Sequence, residues 1–514
     1  MAISSMSGSA SQNARTSFPT QFDPAICWNA ISARDRRFDG RFFAGVITTK
    51  VYCRPICPIR LRKPENIKWF PSAASAQAQG FRPCRRCRPH TSPGTPAWHG
   101  TLAVVSRAIR LIEAGALDHG NVDELAEHVG IGARHLRRLF AEHLGAAPIQ
   151  VANARRLRFA SQLLRDTALS VNKVAFSAGF KSIRQFNHAI RSSFERSPSE
   201  LRRVENPIGP CKPGDEICLH LAFRSPLDWM AMLRFFKEHS TPGVERVDGR
   251  SYRRTVEIGD ATGYIEVASD TDKPRVVLKV RLSRFDSLME IVERVRRMFD
   301  LTADPVQISD HLARDRRLRP ILAAHPGLRV PGAWDAFELA VLAILGQRLA
   351  RGTAAAAQRL VHTFGRPIET SIPGLTHLFP PPQLLAEADL ISIGIEQSKA
   401  ETIRALAAGF RDDNDSPSGS RTSSSLRSRI LSLPGVGEAT SQYIAMRALG
   451  DPDVIPLNDS EVRSALGNSQ KPFSKLEVQR AAARWRPWGA YAAMYLWIEN
   501  AQRSGEKAAS PSVS

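Results

Sequence analysis

The chain has 514 residues and a formal net charge of +21, so roughly three or four domains and a polyanionic partner, most simply nucleic acid, are expected. No apolar run is long enough for a bilayer span, which excludes a helical membrane protein. The Ser- and Ala-rich stretch 1–20 lacks the apolar core of a secretory signal and reads as a disordered tail.

The first unit, 21–95, holds four of the seven cysteines as two close pairs, Cys53-x3-Cys57 and Cys84-x2-Cys87. Two short-spaced thiol pairs joined by a modest loop suit a tetrahedral S4 zinc site. Thiols used this way fit a reducing cytoplasm better than a disulfide framework. Spacing alone favours a purely structural zinc knuckle. The pairs sit among Arg54, Arg82, Arg85, Arg86 and Arg88. Zinc held by four thiolates carries a formal charge of about −2, so these arginines balance it, hold DNA, or do both. Cys27, Cys211 and Cys218 read as ordinary thiols.

The Pro-rich stretch from Pro89 to Pro96 closes this unit. Helical period follows over 98–204, with two similar motifs. Val122 to Ile131 reads as a helix ending in a Gly turn, and the next helix carries Arg134, His135, Arg137 and Arg138 beside Leu136, Leu139 and Phe140. Val171 to Phe180 repeats the pattern, followed by Arg184 and Gln185. Small residues before a Gly turn let two helices cross closely, and polar side chains early on the second helix reach bases or phosphates. A plain helical hairpin with a solvated basic face is the alternative, and two tandem copies weigh against it.

After a break at Asn206 to Gly214, the unit 213–300 shows strand alternation at Ile217, Leu219, Leu221 and Phe223, and again at Val276, Leu278, Val280 and Leu282. Helical period returns near Ser287 and fills a unit at 301–500, broken by a polar insert from Asp412 to Ser425. Residues 501–514 read as a second disordered tail. Within the helical unit, Leu433-Pro434-Gly435-Val436-Gly437 has the pattern of a helix-hairpin-helix turn, whose backbone N–H groups suit one DNA phosphate. Downstream, Asp459 is either a helix N-cap or a catalytic carboxylate. The fold class is thus multidomain and mainly α with α+β parts.

The tandem motifs resemble the AraC-type DNA-binding domain. The stretch from Phe42 to Cys57, with Gly80 to Cys87, resembles the zinc domain of the Ada family of DNA-alkylation response proteins. That resemblance implies one Zn2+ held by Cys53, Cys57, Cys84 and Cys87. It also implies that Cys53 accepts a methyl group from a DNA methylphosphotriester, with Thr49, Arg60 and Arg86 near the acceptor. A zinc-bound thiolate needs no general base, and losing its charge on methylation should tighten DNA binding.

Residues 215 to 500 resemble the AlkA branch of helix-hairpin-helix glycosylases, through Pro331 to Glu338, Ala343 to Gln347, the Gly435–Gly437 turn, Asp459, and Trp485 to Ala492. This resemblance implies excision of alkylated purines of the 3-methyladenine class. Asp459 would be catalytic, Tyr443, Trp497 and Gln347 would form the base pocket, and Arg348 or Leu349 would fill the gap of a flipped-out base. Trp488 reads as core.

Ala439 stands where bifunctional relatives carry a Schiff-base lysine, so no lyase activity and no cofactor are expected of this half. No cysteine follows Cys218, so an iron–sulfur loop is absent, and so is the Pro-Cys-His-Arg motif of an alkylguanine methyltransferase. The implied protein is a monomer in the bacterial cytoplasm, at the nucleoid, with double-stranded DNA and RNA polymerase as partners and no membrane. Its rivals are a regulator whose glycosylase-like half binds DNA without catalysis, and a repair protein with no promoter.

Overall fold

The structure is a computed structural model that describes residues 23–59, 63–89, 103–113, 115–205, 216–285, 287–346, 353–411, 430, 433, 435–467 and 471–509. Arg60, Gln347, Arg348, Leu349 and Cys211 lie outside these residues, as do the first tail, the polar insert and residues 510–514; residues 501–509, expected as part of a disordered tail, instead continue the last helix.

The first unit is built on a small sheet of order β3-β1-β2-β4. Strands β1 (Phe43–Val46), β2 (Val51–Cys53) and β3 (Ile67–Phe70) pair antiparallel, while β4 (Arg82–Pro83) runs parallel to β2. The parallel pair matters most, because it sets the segments leaving β2 and β4 side by side. Gly45 is obligatory here: a Cβ on it would lie 2.4 Å from the Phe70 ring and 2.8 Å from Phe81. Phe70 and Phe81 can therefore pack edge to face at 5.0 Å, across the strand that carries the hairpin.

Both helix-turn-helix motifs form as their sequence punctuation directs. Asn121 caps the helix Val122–Val129 in a full capping box with Glu124, and Gly130 ends it in the left-handed conformation at φ 79°. The glycine adopts that geometry at no steric cost. In the second motif Ser182 caps the helix Ile183–Phe194. Leu125, Leu136, Leu139 and Phe140 close the first core, and Val174, Phe186 and Ile190 close the second. The connecting helix Pro148–Asp166 buries Arg155 and Arg156 against Asp118 at 2.8 and 3.0 Å. Its basic residues are thus partly structural.

The third unit is a five-stranded antiparallel sheet of order β5-β9-β8-β7-β6. Its strands are β5 (Glu216–Ala222), β6 (Glu245–Asp248), β7 (Ser251–Ile258), β8 (Ala261–Ser269) and β9 (Arg275–Leu282). The two alternating runs noted above are direct partners, with Ile217 opposite Val280, Leu219 opposite Leu278 and Leu221 opposite Val276. That register buries one apolar face under the helices Trp229–Glu238 and Leu288–Met298. The same core continues into the second helix-turn-helix motif through Leu163, Leu164 and Phe186. The remaining helices pack around the central, nearly all-apolar helix Ala336–Leu345, the helix Glu438–Ala448 and the long last helix Gly489–Ala509. Among the described residues, no helix is long and apolar enough to cross a membrane.

The units touch through buried polar contacts. Arg41 of the zinc unit pairs with Asp304. Arg224 donates to the Asp39 carbonyl at 3.2 Å and the Thr302 carbonyl at 3.0 Å, and Arg329 donates to the Arg224 carbonyl at 2.6 Å. Asp300 accepts from the Tyr491 hydroxyl at 2.6 Å, tying the sheet unit to the last helix. Burial pushes the Asp300 carboxyl from its ordinary 3.8 up to about 6.

Between those values the folded state holds a proton that the unfolded chain has lost, so stability from this group declines as pH rises towards about 6. An Asp300→Asn variant keeps the acceptor but cannot titrate. Its urea midpoint relative to wild type is predicted to rise as the pH is raised from about 4 to about 7. A constant difference across that range would contradict the assignment.

Candidate functional sites: the four-sulfur cluster, the DNA-facing helices and the carboxylate at Asp459

The zinc unit delivers its four cysteines from two turns. Cys53 ends β2, and the turn after it returns Cys57, whose N–H donates to the Arg54 carbonyl at 3.1 Å. Cys84 follows β4, and its N–H donates to the Tyr52 carbonyl at 2.9 Å. The next turn returns Cys87. All four residues are buried, and their sulfurs lie within 4.8 Å of one another. Hydrogen bonds with Cys57, Cys84 and Cys87, and then burial, hold the Cys53 thiol far above its usual range. Bonds from Cys53, Cys57 and Cys87 draw Cys84 far below it. Four buried sulfurs so close cannot all be thiolates without a cation, and a divalent ion with tetrahedral preference answers that need. The donor set fits zinc. Cys27 and Cys218 lie apart from this cluster, both buried, and burial pushes the Cys27 thiol up to about 12.

The arginines around the cluster divide by role. The Arg54 backbone N–H donates to Cys87 Sγ at 3.3 Å, and its guanidinium reaches the Cys87 carbonyl and pairs with Asp39. It is an internal brace. Arg82 pairs with Glu195 of the second helix-turn-helix motif at 2.8 Å. Arg85 and Arg86 are exposed, and so is Thr49, in the turn between β1 and β2. Arg134, His135, Arg137, Arg138, Arg184 and Gln185 are all exposed on their helices, opposite buried Leu136, Leu139, Phe186 and Ile190. A basic outer face over an apolar inner face is the geometry a groove-reading helix needs.

In the last unit, Gly435 takes φ 84°, and a Cβ there would lie 2.7 Å from Thr402 Oγ1. Gly437 caps the helix Glu438–Ala448 without a side-chain bond. Both glycines are exposed, so the first N–H groups of that helix can meet an outside acceptor. Asp459 is buried at 3% exposure and does cap a helix: its side chain accepts from the Val462 N–H at 2.9 Å. The same Oδ1 accepts from Trp497 Nε1 at 3.0 Å. A cap explains the first bond but not the second, which orients the carboxylate beside an aromatic ring.

Tyr443 and Trp497 lie 6.4 Å apart between ring centroids at an interplanar angle of 59°. Trp488 is buried core against Tyr491. The cavity that Tyr443 lines has a volume of about 40 Å³, with Phe236, His239, Trp334, Glu338 and Arg447 among its walls and neither Asp459 nor Trp497. Arg447 was not anticipated from the sequence. Its guanidinium lies 4.7 Å from the Phe235 centroid and 5.3 Å from that of Tyr443, and it donates to the Tyr443 hydroxyl at 2.6 Å. Its place four residues after Tyr443, on one helix face, was the available signal.

A four-cysteine metal unit, tandem helix-turn-helix motifs and a helix-hairpin-helix unit beside an antiparallel sheet define a DNA-binding protein of composite build. Comparison with known proteins divides the chain in the same order. The metal binding domain of Ada matches residues 26–90, a helix-turn-helix domain 125–204 and the AlkA N-terminal domain 218–335. A probable bifunctional transcriptional activator/DNA repair enzyme AlkA from Mycobacterium tuberculosis is 38% identical over 477 residues, 92% of this chain and 95% of its own length. DNA-3-methyladenine glycosylase 2 of Escherichia coli is 28% identical over 54% of this chain and 95% of its own. The bifunctional transcriptional activator/DNA repair enzyme Ada of Escherichia coli is 37% identical over 26% of this chain and 36% of its own. The chain belongs to the family of bifunctional transcriptional activator/DNA repair proteins that join an Ada-type zinc unit to an AlkA-type glycosylase half, and its four-cysteine cluster is a site for one zinc ion.

Metal analysis of the purified chain is therefore expected to give one zinc per molecule. Chelation should expose the four buried thiols to a thiol reagent while the far-UV signal of the helical units persists. Slow thiol reaction after complete zinc removal would contradict a metal-held cluster.

Proposed function

We propose that this protein senses and repairs alkylated DNA by two reactions on one chain. In the first, Cys53 Sγ attacks the methyl carbon of a DNA methylphosphotriester. The S–C bond forms as the C–O bond breaks, and the phosphodiester leaves as an anion. Zinc, when bound, supplies the positive charge that keeps this sulfur a thiolate. Cys57, Cys84 and Cys87 hold it in place, the Arg54 N–H supports Cys87, and exposed Thr49, Arg85 and Arg86 face the DNA. Arg60 joins them by family likeness alone. Thiolate becomes thioether, so one negative charge is lost near a phosphate backbone, and affinity for DNA should rise. Promoter binding through Arg134, His135, Arg137, Arg138, Arg184 and Gln185, with recruitment of RNA polymerase by a single chain, completes the regulatory reading.

In the second reaction, the glycosylase half releases an alkylated purine. A flipped-out nucleotide meets the faces of Tyr443 and Trp497, where cation–π attraction is worth about 0.5–2 kcal/mol for a cationic base. The C1′–N bond breaks, water supplies the new C1′–O bond, and ionised Asp459 stabilises the positive sugar between. No strong acid is needed, because the leaving base already carries charge. Half-buried Ala439 offers no amine for a Schiff base, so the excision is monofunctional. Gln347, Arg348 and Leu349 enter by family likeness, as base contact and wedge. The observation that carries this half is the bond from Trp497 Nε1 to Asp459 Oδ1 at 3.0 Å, which joins the carboxylate to the aromatic pair.

A second reading, a regulator whose glycosylase-like half only binds DNA, is favoured by the cavity at Tyr443, whose walls include neither Asp459 nor Trp497. Release of 3-methyladenine from methylated DNA separates the two. Wild type is expected to release base and Asp459→Asn to be slower by at least about 100-fold, the scale of losing a transition-state charge partner. Equal inactivity of both proteins would establish the regulator reading. A Cys53→Ala variant is expected to take up no methyl group from methylphosphotriester DNA, and undiminished uptake would remove Cys53 from its role.

A further inference from the structure

Excision as proposed needs two segments of the chain to meet. The helix Glu438–Ala448 brings Tyr443, and the loop before the helix Ser460–Leu466 brings Asp459. Asp459 Oδ1 is held by its own helix, through the Val462 N–H, and by the last helix, through Trp497 Nε1. Neither of these bonds ties the carboxylate to the helix of Tyr443.

That tie is made by Gln442, the residue before Tyr443, itself only 7% exposed. Its Oε1 accepts from the Leu457 N–H at 3.1 Å, two residues ahead of Asp459. Its Nε2 donates to Glu438 Oε1, one turn earlier, at 3.3 Å. The other oxygen of Glu438 accepts from Asn458 Nδ2 at 3.0 Å and from Lys475 Nζ at 2.6 Å. The pair therefore grips both residues that precede Asp459, one by its backbone and one by its side chain. The chemistry fixes which way the amide points: an N–H needs the oxygen and a carboxylate needs the NH2. A carboxylate at 442 would face Glu438 with like charge, and an alkyl group would leave the Leu457 N–H unmet at a part-buried site.

We propose that Gln442 and Glu438 are positioning residues for base excision, setting the distance between Asp459 and the aromatic face of Tyr443. This rests on Asp459 being the catalytic carboxylate. Misplacement of a reacting group by about 1 Å costs on the order of 100-fold in rate, which sets the scale of the effect.

The test uses the full zinc-loaded chain and single-turnover release of 3-methyladenine from methylated duplex DNA. Gln442→Ala is expected to slow release by about 10- to 100-fold with the half-saturating DNA concentration near wild type and the protein still folded at the assay temperature. Gln442→Glu and Glu438→Gln should each be slow, and the double variant, which exchanges carboxylate and amide, should recover to within about threefold of wild type, because the coupling resides in the pair. Hydrogen exchange of the Leu457 amide should quicken in Gln442→Ala whatever the activity, and unchanged protection there would overturn the clamp. Wild-type release rates in Gln442→Ala, beside an inert Asp459→Asn, would overturn the positioning role while leaving excision standing. A wild type that releases no base would overturn the excision reading itself, and the catalytic content of this proposal with it.

Discussion

Four sulfurs within 4.8 Å of one another, all buried, impose the constraint on which the first unit depends. The apolar residues of that unit form two small clusters rather than one core. One is around Phe42 and Trp69, the other around Phe43, Tyr52, Phe70 and Phe81. Cores of that size seldom hold a unit together unaided, and a structural metal is a common remedy. The ion that the cluster requires therefore staples the turns after β2 and β4, and its geometry reaches further. Arg54, braced on Cys87, pairs with Asp39, whose carbonyl meets Arg224, which in turn meets Arg329. The four-cysteine site thus also orders the contact between the zinc unit and the glycosylase half.

The two groups proposed to react are held in different ways within a chain of net charge +21. The proposed methyl transfer needs Cys53 as a thiolate among three other buried sulfurs, and a zinc ion would supply the balancing charge. Asp459 is oriented by donors: the Val462 N–H and Trp497 Nε1 share one carboxylate oxygen. Its helix-capping bond is compatible with the catalytic role proposed for it, since capping supplies one of the bonds that orient the group. In the proposed reactions the sulfur would be consumed and the carboxylate would not, so one site would keep a count of damage and the other would remove it.

Much of this was legible in the sequence because its signals are local. Cysteine spacing, the Gly turns at Gly130 and Gly179, the cap at Asp459 and the alternation of Ile217, Leu219 and Leu221 each depend on a few neighbouring residues. Val276, Leu278 and Val280 likewise read as a strand, but that the two runs are direct partners emerged only from the fold. What stayed hidden is long-range. Arg155 and Arg156 pair with Asp118, 37 and 38 residues away. Arg54, left open between balancing the zinc site and holding DNA, braces Cys87 and Asp39. Gln442 meets Leu457 across 15 residues, and polar side chains on a helix give no hint of such partners until the fold closes.

One chain is proposed to carry a single-use acceptor and a recycling excision site. The most direct test incubates the zinc-loaded protein with an excess of duplex DNA carrying both methylphosphotriesters and methylated purines. Intact mass and released base are then followed in the same tube. The account predicts that protein mass rises by one methyl group, located on Cys53, and stops, while free methylpurine continues to accumulate well beyond the amount of protein. Base release that halts at one equivalent, or continued release with Cys53 unmodified, would contradict it.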